Sequence, residues 1–376
     1  MGMEFEVKTD LFKKVVSCAS RAASSKAIQP ILNNLLICGD KGFLFISATD
    51  LDLAIECKLP AEVHQSGKIT VPARKLDEIV NKAPGENINF SIDKNQLAKI
   101  LSNKAKFQIN GTSSDEFPEV IKKEEGVEKI TINRDELLRG ISLTSFSASK
   151  MESTSILSGL SFKVSKNKFE IAGTDGSRLS RYIGSIEDGK STNINLVIPW
   201  RAMEELERLM NSFDGDKNIS ISFLQGQVIF QSEDFSLSTR TMSGTFPEYE
   251  KLIPSEQPNK AIFLRSELLS SLERVSILAN ERTNVVKLSF EKGKKVANIN
   301  SNSPDYGNAN DEVGVDYFGS SLEVAFNYKY LSECLRNIGS DKVVVEMGSS
   351  LSPIILKINE EKNFDYTYLI MPVQMR

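Results

Sequence analysis

The sequence predicts an α+β protein of three tandem domains, each with two helices packed on antiparallel strands. Three observations carry this. The helix-start markers Asp10, Pro72, Asp135, Pro199, Ser266 and Asn327 stand 62, 63, 64, 67 and 61 residues apart. Three segments share one hairpin pattern: PILNNLLICGDKGFLFISATD (30–50), SILSGLSFKVSKNKFEIAGTD (155–175) and TNVVKLSFEKGKKVANINSNS (283–303). The ending TSSDEFPEV (112–120) returns as TMSGTFPEY (241–249), and the acidic linkers IKKEEGVEK (121–129) and IPSEQPNK (253–260) follow. A fixed period is the mark of repeated supersecondary units. Six units grouped in pairs place domains at 1–125, 129–253 and 258–376.

Each element has its own warrant. The first helix of each pair reads DLFKKVVSCASRAA, RDELLRGISLTSFSAS and SELLSSLERVSILANE. Leu11, Phe12, Val15, Val16 and Ala19 form one apolar stripe in the first copy, as a half-buried helix requires. Asp10, Asp135 and Ser266 suit the N-cap, where a side-chain oxygen satisfies a free backbone N–H. The hairpins alternate with period two: Leu160, Phe162 and Val164 share a face, and so do Val286, Leu288 and Phe290. The second helices are VPARKLDEIVNKAP, IPWRAMEELERLMNSF and FNYKYLSECLRNIGS. Pro72 and Pro199 fit the first helical position, where no N–H is needed. Alternating strands follow at Ile88/Phe90/Ile92, Ile219/Ile221/Phe223 and Val343/Val345/Met347. Repeats that do not close on themselves need a partner over their ends, and a head-to-tail contact that closes by rotation gives a ring.

Composition narrows the function classes. There are 46 basic and 50 acidic residues, a net charge of −4, so nucleic-acid contact requires a local patch. His64 is the one histidine and is expected in an exposed loop, which weakens Ser-His-Asp and His-metal chemistry. No GxxxxGK[ST] or GxGxxG loop occurs, so no nucleotide cofactor is expected, nor a metal. Four scattered cysteines, Cys18, Cys38, Cys57 and Cys334, suit a reducing cytoplasm. No signal peptide, myristoylation pattern or membrane span is expected.

Three features stand out as binding candidates. A basic residue recurs at one turn of the second helices: Arg74, Arg201 and Lys329. This is either a solvated helix face or a sequence-blind phosphate surface. The neighbouring Trp200 is expected to pack at a helix–sheet junction, with base stacking the alternative. TDGSRL (174–179) departs from its counterpart TDLDLA (49–54), as a turn variant or as a local site. The C-terminus TYLIMPVQMR is apolar, either core packing or an adaptable groove for peptides.

The segments QPILNNL (29–35), ATDLDLAIE (48–56), VPARKL (71–76), GTDGSRL (173–179), GTFPEYEKLIP (244–254), SILANE (276–281) and YLIMPV (368–373) run in order along the chain. On them the sequence resembles the bacterial DNA polymerase III beta subunit, the replicative sliding clamp. The resemblance implies three DNA-clamp domains, half of a six-domain ring closed by a head-to-tail homodimer around duplex DNA. It implies no catalysis of its own, and as partners the clamp loader, the polymerase III alpha subunit and other proteins with clamp-binding motifs. By motif, Lys26, Arg74, Arg201 and the equivalent Lys329 would approach DNA. The partner-peptide groove would comprise Leu157, Thr174, Gly176, Arg178, Leu179, Pro247, Leu252, Leu369, Met371, Pro372 and Val373. The dimer contact would set Phe107 and Ile109 against Ile277 and Leu278, with Lys104 and Lys106 facing Asp305, Asp311 and Glu312. Departures are Ser177 where the family usually has His, and Gln374 at a usual arginine position. Two other readings stand beside this one: an enzyme with a carboxylate site at Asp50 or Asp175, and a peptide-binding scaffold without DNA.

Overall fold

A computed structural model describes residues 2–24, 29–120, 128–150, 155–186, 193–358 and 364–374. Six α-helices occur among them: α1 (Thr9–Ser20), α2 (Ala73–Lys82), α3 (Arg134–Thr144), α4 (Trp200–Ser212), α5 (Arg265–Ser276) and α6 (Tyr328–Asn337). Each is entered from a strand and followed by three antiparallel strands, so one strand–helix–three-strand unit occurs six times. The amphipathic stripes set the helix faces. In α1, Phe12, Val15, Val16 and Ala19 are buried, whereas Leu11 is exposed, contrary to its expected place on the stripe.

The first helix of each pair starts two residues earlier than expected, at Thr9, Arg134 and Arg265. Asp10, Asp135 and Ser266 lie inside the first turn, not at the cap. There the Asp10 and Asp135 carboxylates face the positive end of the helix dipole instead of accepting a cap bond. The cap of α3 is Asn133, whose side-chain oxygen accepts the Asp135 N–H at 3.0 Å. Pro72 and Pro199 close the strands Gly67–Pro72 and Ile194–Pro199, one residue before α2 and α4. His64 is exposed on the short strand Glu62–Gln65, not in a loop.

The chain folds as two compact units. The first comprises residues 1–135 and 201–241. It holds a five-stranded sheet and an eight-stranded sheet, and α1 packs on α2 and on the eight-stranded sheet. The eight-stranded sheet is fused from two repeats: Leu53–Pro60 pairs antiparallel with Phe235–Arg240, and Ala54 stands opposite Ser238. Among the described residues the strand Ala105–Asn110 pairs only with Leu97–Ser102, at an edge of the five-stranded sheet.

The second unit comprises residues 136–200 and 242–376. Its nine-stranded sheet is fused in the same manner: Arg178–Ser185 pairs with Asp365–Ile370, and Leu179 stands opposite Leu369. Its four-stranded sheet ends in Gly307–Gly314, which among the described residues pairs only with Val296–Ser303. The last strands of the first and fourth repeats therefore pair, as do those of the third and sixth. Those of the second and fifth remain as open edges. An open edge presents a row of unpaired backbone groups to another chain.

Candidate functional site

The turn between the strands Lys168–Thr174 and Arg178–Ser185 positions the first candidate surface. Asp175 Oδ1 accepts the N–H groups of Ser177 (2.9 Å) and Arg178 (3.2 Å). Thr174 Oγ1 accepts the Gly176 N–H at 3.1 Å and donates to the Arg178 carbonyl at 2.5 Å. The residue between them must adopt a left-handed conformation, and Gly176 does so with φ +91°. The counterpart turn is built by the same bonds from Thr49 and Asp50, but Leu51 holds φ +79°. Asp50 and Asp175 thus serve as turn-forming acceptors, which accounts for both without an enzymatic carboxylate site.

Strand alternation then sends Leu179 to one face of the fused sheet and Arg178 to the other. Leu179 joins a buried apolar cluster with Leu369, Ile355, Val197, Phe246 and Tyr249, and Ile156, Met242 and Ile253 pack against it. The Phe246 and Tyr249 rings meet edge to face, their centroids 5.9 Å apart. The Tyr249 hydroxyl donates to Glu170, and Lys163 lies 4.5 Å over its ring. Burial, and then the Glu170 carboxylate, push the Tyr249 hydroxyl pKa up. Around this floor stand exposed apolar side chains: Leu252 (56% exposed), Met371 (42%), Val373 and Pro247. Leu157 is half-buried beside Ile156. The end of the chain is held by two backbone bonds, Met371 N–H to Ser177 C=O (2.9 Å) and Val373 N–H to Ala325 C=O (2.8 Å), with Pro372 between them. The corresponding face of the eight-stranded sheet has Ala54 opposite Ser238 where this one has Leu179 opposite Leu369.

Arg178 does not offer its guanidinium to this face. It is 8% exposed on the opposite side, bonded to Asp175 (2.9 Å), Glu333 (2.6 Å) and the Phe146 carbonyl (2.8 Å). Seven of the floor or flanking residues named above, Ile156, Val197, Met242, Phe246, Tyr249, Ile253 and Ile355, are not among the groove residues that the sequence nominates. Phe246, Tyr249 and Ile253 lie within the motif FPEYEKLIP (246–254), so the signal is present there.

The basic candidates occupy equivalent places. Arg74, Arg201 and Lys329 are each the second residue of α2, α4 and α6. The Arg74 side chain is 90% exposed and pairs with Glu78 at 3.0 Å. Arg201 is bound to Asp50 (2.6 Å) and the Arg21 carbonyl (3.2 Å), so part of its charge already anchors the counterpart turn. Lys329 is exposed, its N–H capped by Asn327 at 3.0 Å. Lys26 lies outside the described residues. Trp200 opens α4 at the strand–helix junction, half-buried, with the Lys150 ammonium 5.3 Å from its ring.

The third candidate is the pair of open edges. On Ala105–Asn110, Lys106 is exposed, as is Lys104 just before it; Phe107 and Ile109 are half-buried. Beside the edge Gly307–Gly314, Ile277 is 78% exposed at the end of α5, Leu278 is half-buried and Asp305 is exposed. Asp311 on that edge accepts from Ser271 (2.8 Å) and Arg274 (2.5 Å). Slight desolvation opposes the Asp311 carboxylate, but these bonds and the Arg274 charge outweigh it and lower its pKa. Among the described residues no His/Cys/Asp/Glu group could hold a metal ion, and no helix is long and apolar enough to cross a membrane.

Comparison with known proteins agrees along the whole chain. Residues 3–121, 131–248 and 250–374 match the family models of the DNA polymerase III beta subunit N-terminal, central and C-terminal domains. The chain is 33% identical over 368 residues to the beta sliding clamp of Synechococcus elongatus, covering 96% of each. It is 28% identical to that of Staphylococcus epidermidis, covering 99% of each. Among solved structures, the DNA polymerase sliding clamp of Bacillus subtilis superposes with TM-score 0.91 at 28% identity over both full chains. The sliding clamp of Bartonella birtlesii bound to griselimycin gives the same three values.

Proposed function

The chain belongs to the DNA polymerase III beta subunit family of non-catalytic sliding clamps, and on that premise we propose how its surfaces perform that work. Two copies close head to tail around duplex DNA, with domains at 1–125, 129–253 and 258–376. The observation that carries this is the strand pairing. Last strands pair between repeats one and four and between repeats three and six. The same step leaves repeat five to pair with repeat two of a second copy, and repeat two with repeat five of that copy. Two copies exhaust the open edges, so the assembly closes.

At each closure Phe107 and Ile109 meet Ile277 and Leu278. Lys104 and Lys106 face Asp305 and the acidic edge at Asp311 and Glu312, which fixes orientation by charge. Phosphate contacts from Arg74, Lys329, Lys26 and, in part, Arg201 read no sequence, so the ring slides. Retention is topological: a closed ring cannot leave sideways. The apolar face around Leu179, Leu369 and Met371 takes peptide motifs of the polymerase alpha subunit, the clamp loader and other partners, and it also takes griselimycin. Such work belongs in the cytoplasm. Sedimentation equilibrium tests the closure: the account requires a mass twice that of the chain at micromolar concentration, and a monomer there refutes it.

A further inference from the structure

The nine-stranded sheet puts a cation with three acceptors, Arg178, directly behind the apolar groove. Arg178 and Leu179 are consecutive, so one side chain floors the groove while the other faces the helices. The Arg178 fork reaches three acceptors on three segments: Asp175 in its own turn, the Phe146 carbonyl after α3, and Glu333 on α6. Its guanidinium carbon lies 4.6 Å from the centroid of the Tyr330 ring and 5.7 Å from that of Phe146. α6 is bound to the groove strand a second time, because the Tyr368 hydroxyl donates to the Tyr330 carbonyl at 2.9 Å. The terminal segment that carries Met371 hangs from the same turn through Ser177. Burial opposes the charge, and Tyr368, Glu333 and Asp175 reverse that effect and raise the pKa.

We propose that Arg178 is a positioning residue for the peptide groove: its buried guanidinium clamps the 174–179 turn to α6 and so sets Leu179 and the Met371 segment in binding register, without touching the peptide. The inference rests on the groove reading above. A planar, bidentate fork is needed, because an ammonium cannot reach acceptors on separate segments in one plane. A buried carboxylate partner left without its cation is itself costly, so variants that keep shape are the informative ones.

The test uses the full chain with R178K and E333Q, and griselimycin as probe. Two readouts are taken: the griselimycin dissociation constant, and amide hydrogen exchange of segments 174–179 and 369–374 in the free protein. The expected result is a roughly tenfold loss of affinity in each variant, equivalent to about 1.4 kcal/mol, with faster exchange confined to those segments. A thermal midpoint alone does not separate positioning from simple support; affinity does. Affinities within twofold of wild type in folded variants overturn the proposal, whatever the midpoint. If R178K does not fold, E333Q, which keeps the side-chain volume, decides. If wild type binds no griselimycin and exchange still rises in the variants, the groove reading fails, and this role for Arg178 fails with it.

Discussion

Replacing Ile277 with serine should weaken closure of the assembly far more than it affects the folded chain. Ile277 is 78% exposed in the single chain, just past α5, and its N–H is bonded to the Arg274 carbonyl. Full burial of an isoleucine contributes about 1.5–3 kcal/mol. Covering the exposed fraction at an interface is therefore worth about 1.2–2.3 kcal/mol. Two identical closures double this to about 2.5–4.5 kcal/mol, roughly 70- to 2,000-fold in the dimer dissociation constant. A surface substitution of this kind shifts monomer stability by about 0.5 kcal/mol or less. The assay is sedimentation velocity across a dilution series, with thermal unfolding of the variant as control. A dissociation constant within threefold of wild type would refute the reasoning, because Ile277 would then remain in solvent in the dimer. A large loss of monomer stability would refute it differently, by showing that Ile277 belongs to the core.

Three further outcomes follow from the same structure. Arg74→Ala and Lys329→Ala should each lower the slope of log affinity for linear duplex DNA against log salt by about 0.9 per lost phosphate contact; fluorescence anisotropy at several salt concentrations reads this, and an unchanged slope removes both residues from the DNA surface. Burial raises the hydroxyl pKa of Tyr182, Tyr249, Tyr366 and Tyr368 and the thiol pKa of Cys57 and Cys334. The folded chain thus keeps protons that the unfolded chain releases, so stability should hold to roughly pH 8.5 and fall as pH rises beyond it; a thermal midpoint that stays flat to pH 11 contradicts this. Arg134 donates to the Met210 and Phe213 carbonyls at the end of α4, as Arg265 does to Leu335 in the last turn of α6 and to Ser340 beyond it. Arg134→Ala should cost about 1.5–3 kcal/mol through the lost charged bonds, read as a denaturant midpoint, and a shift below 0.5 kcal/mol would show that water replaces the cap.

Periodicity made the repeat legible because each helix and hairpin buries one face. Val286, Leu288 and Phe290 are all buried as their alternation required, and α2, α4 and α6 start one residue after Pro72, Pro199 and Asn327. What periodicity cannot encode is which strand lies beside which. Nothing in LAIECKLP and FSLSTR announces that they pair, because backbone hydrogen bonds are the same for any partner. The fused sheets, and with them the open edges, became visible only in three dimensions. Leu179 and Leu369, nominated by motif, stand opposite each other in one buried apolar cluster. Its remaining floor residues, such as Ile355 and Val197, come from strands whose sequence signal is ordinary core. Arg178 shows the opposite failure: its motif places it at the groove, while strand alternation turns its side chain away. Leu51 had no sequence signal for φ +79° either, because its strain is imposed by the Thr49 and Asp50 bonds of the turn.

The most direct test of the whole account is retention of the protein on nicked circular DNA, loaded with clamp loader and ATP, before and after the circle is cut. A closed ring that slides is retained on the circle and lost once an end is made. Retention that survives linearisation would mean ordinary groove or phosphate binding, and would contradict topological tethering by this chain.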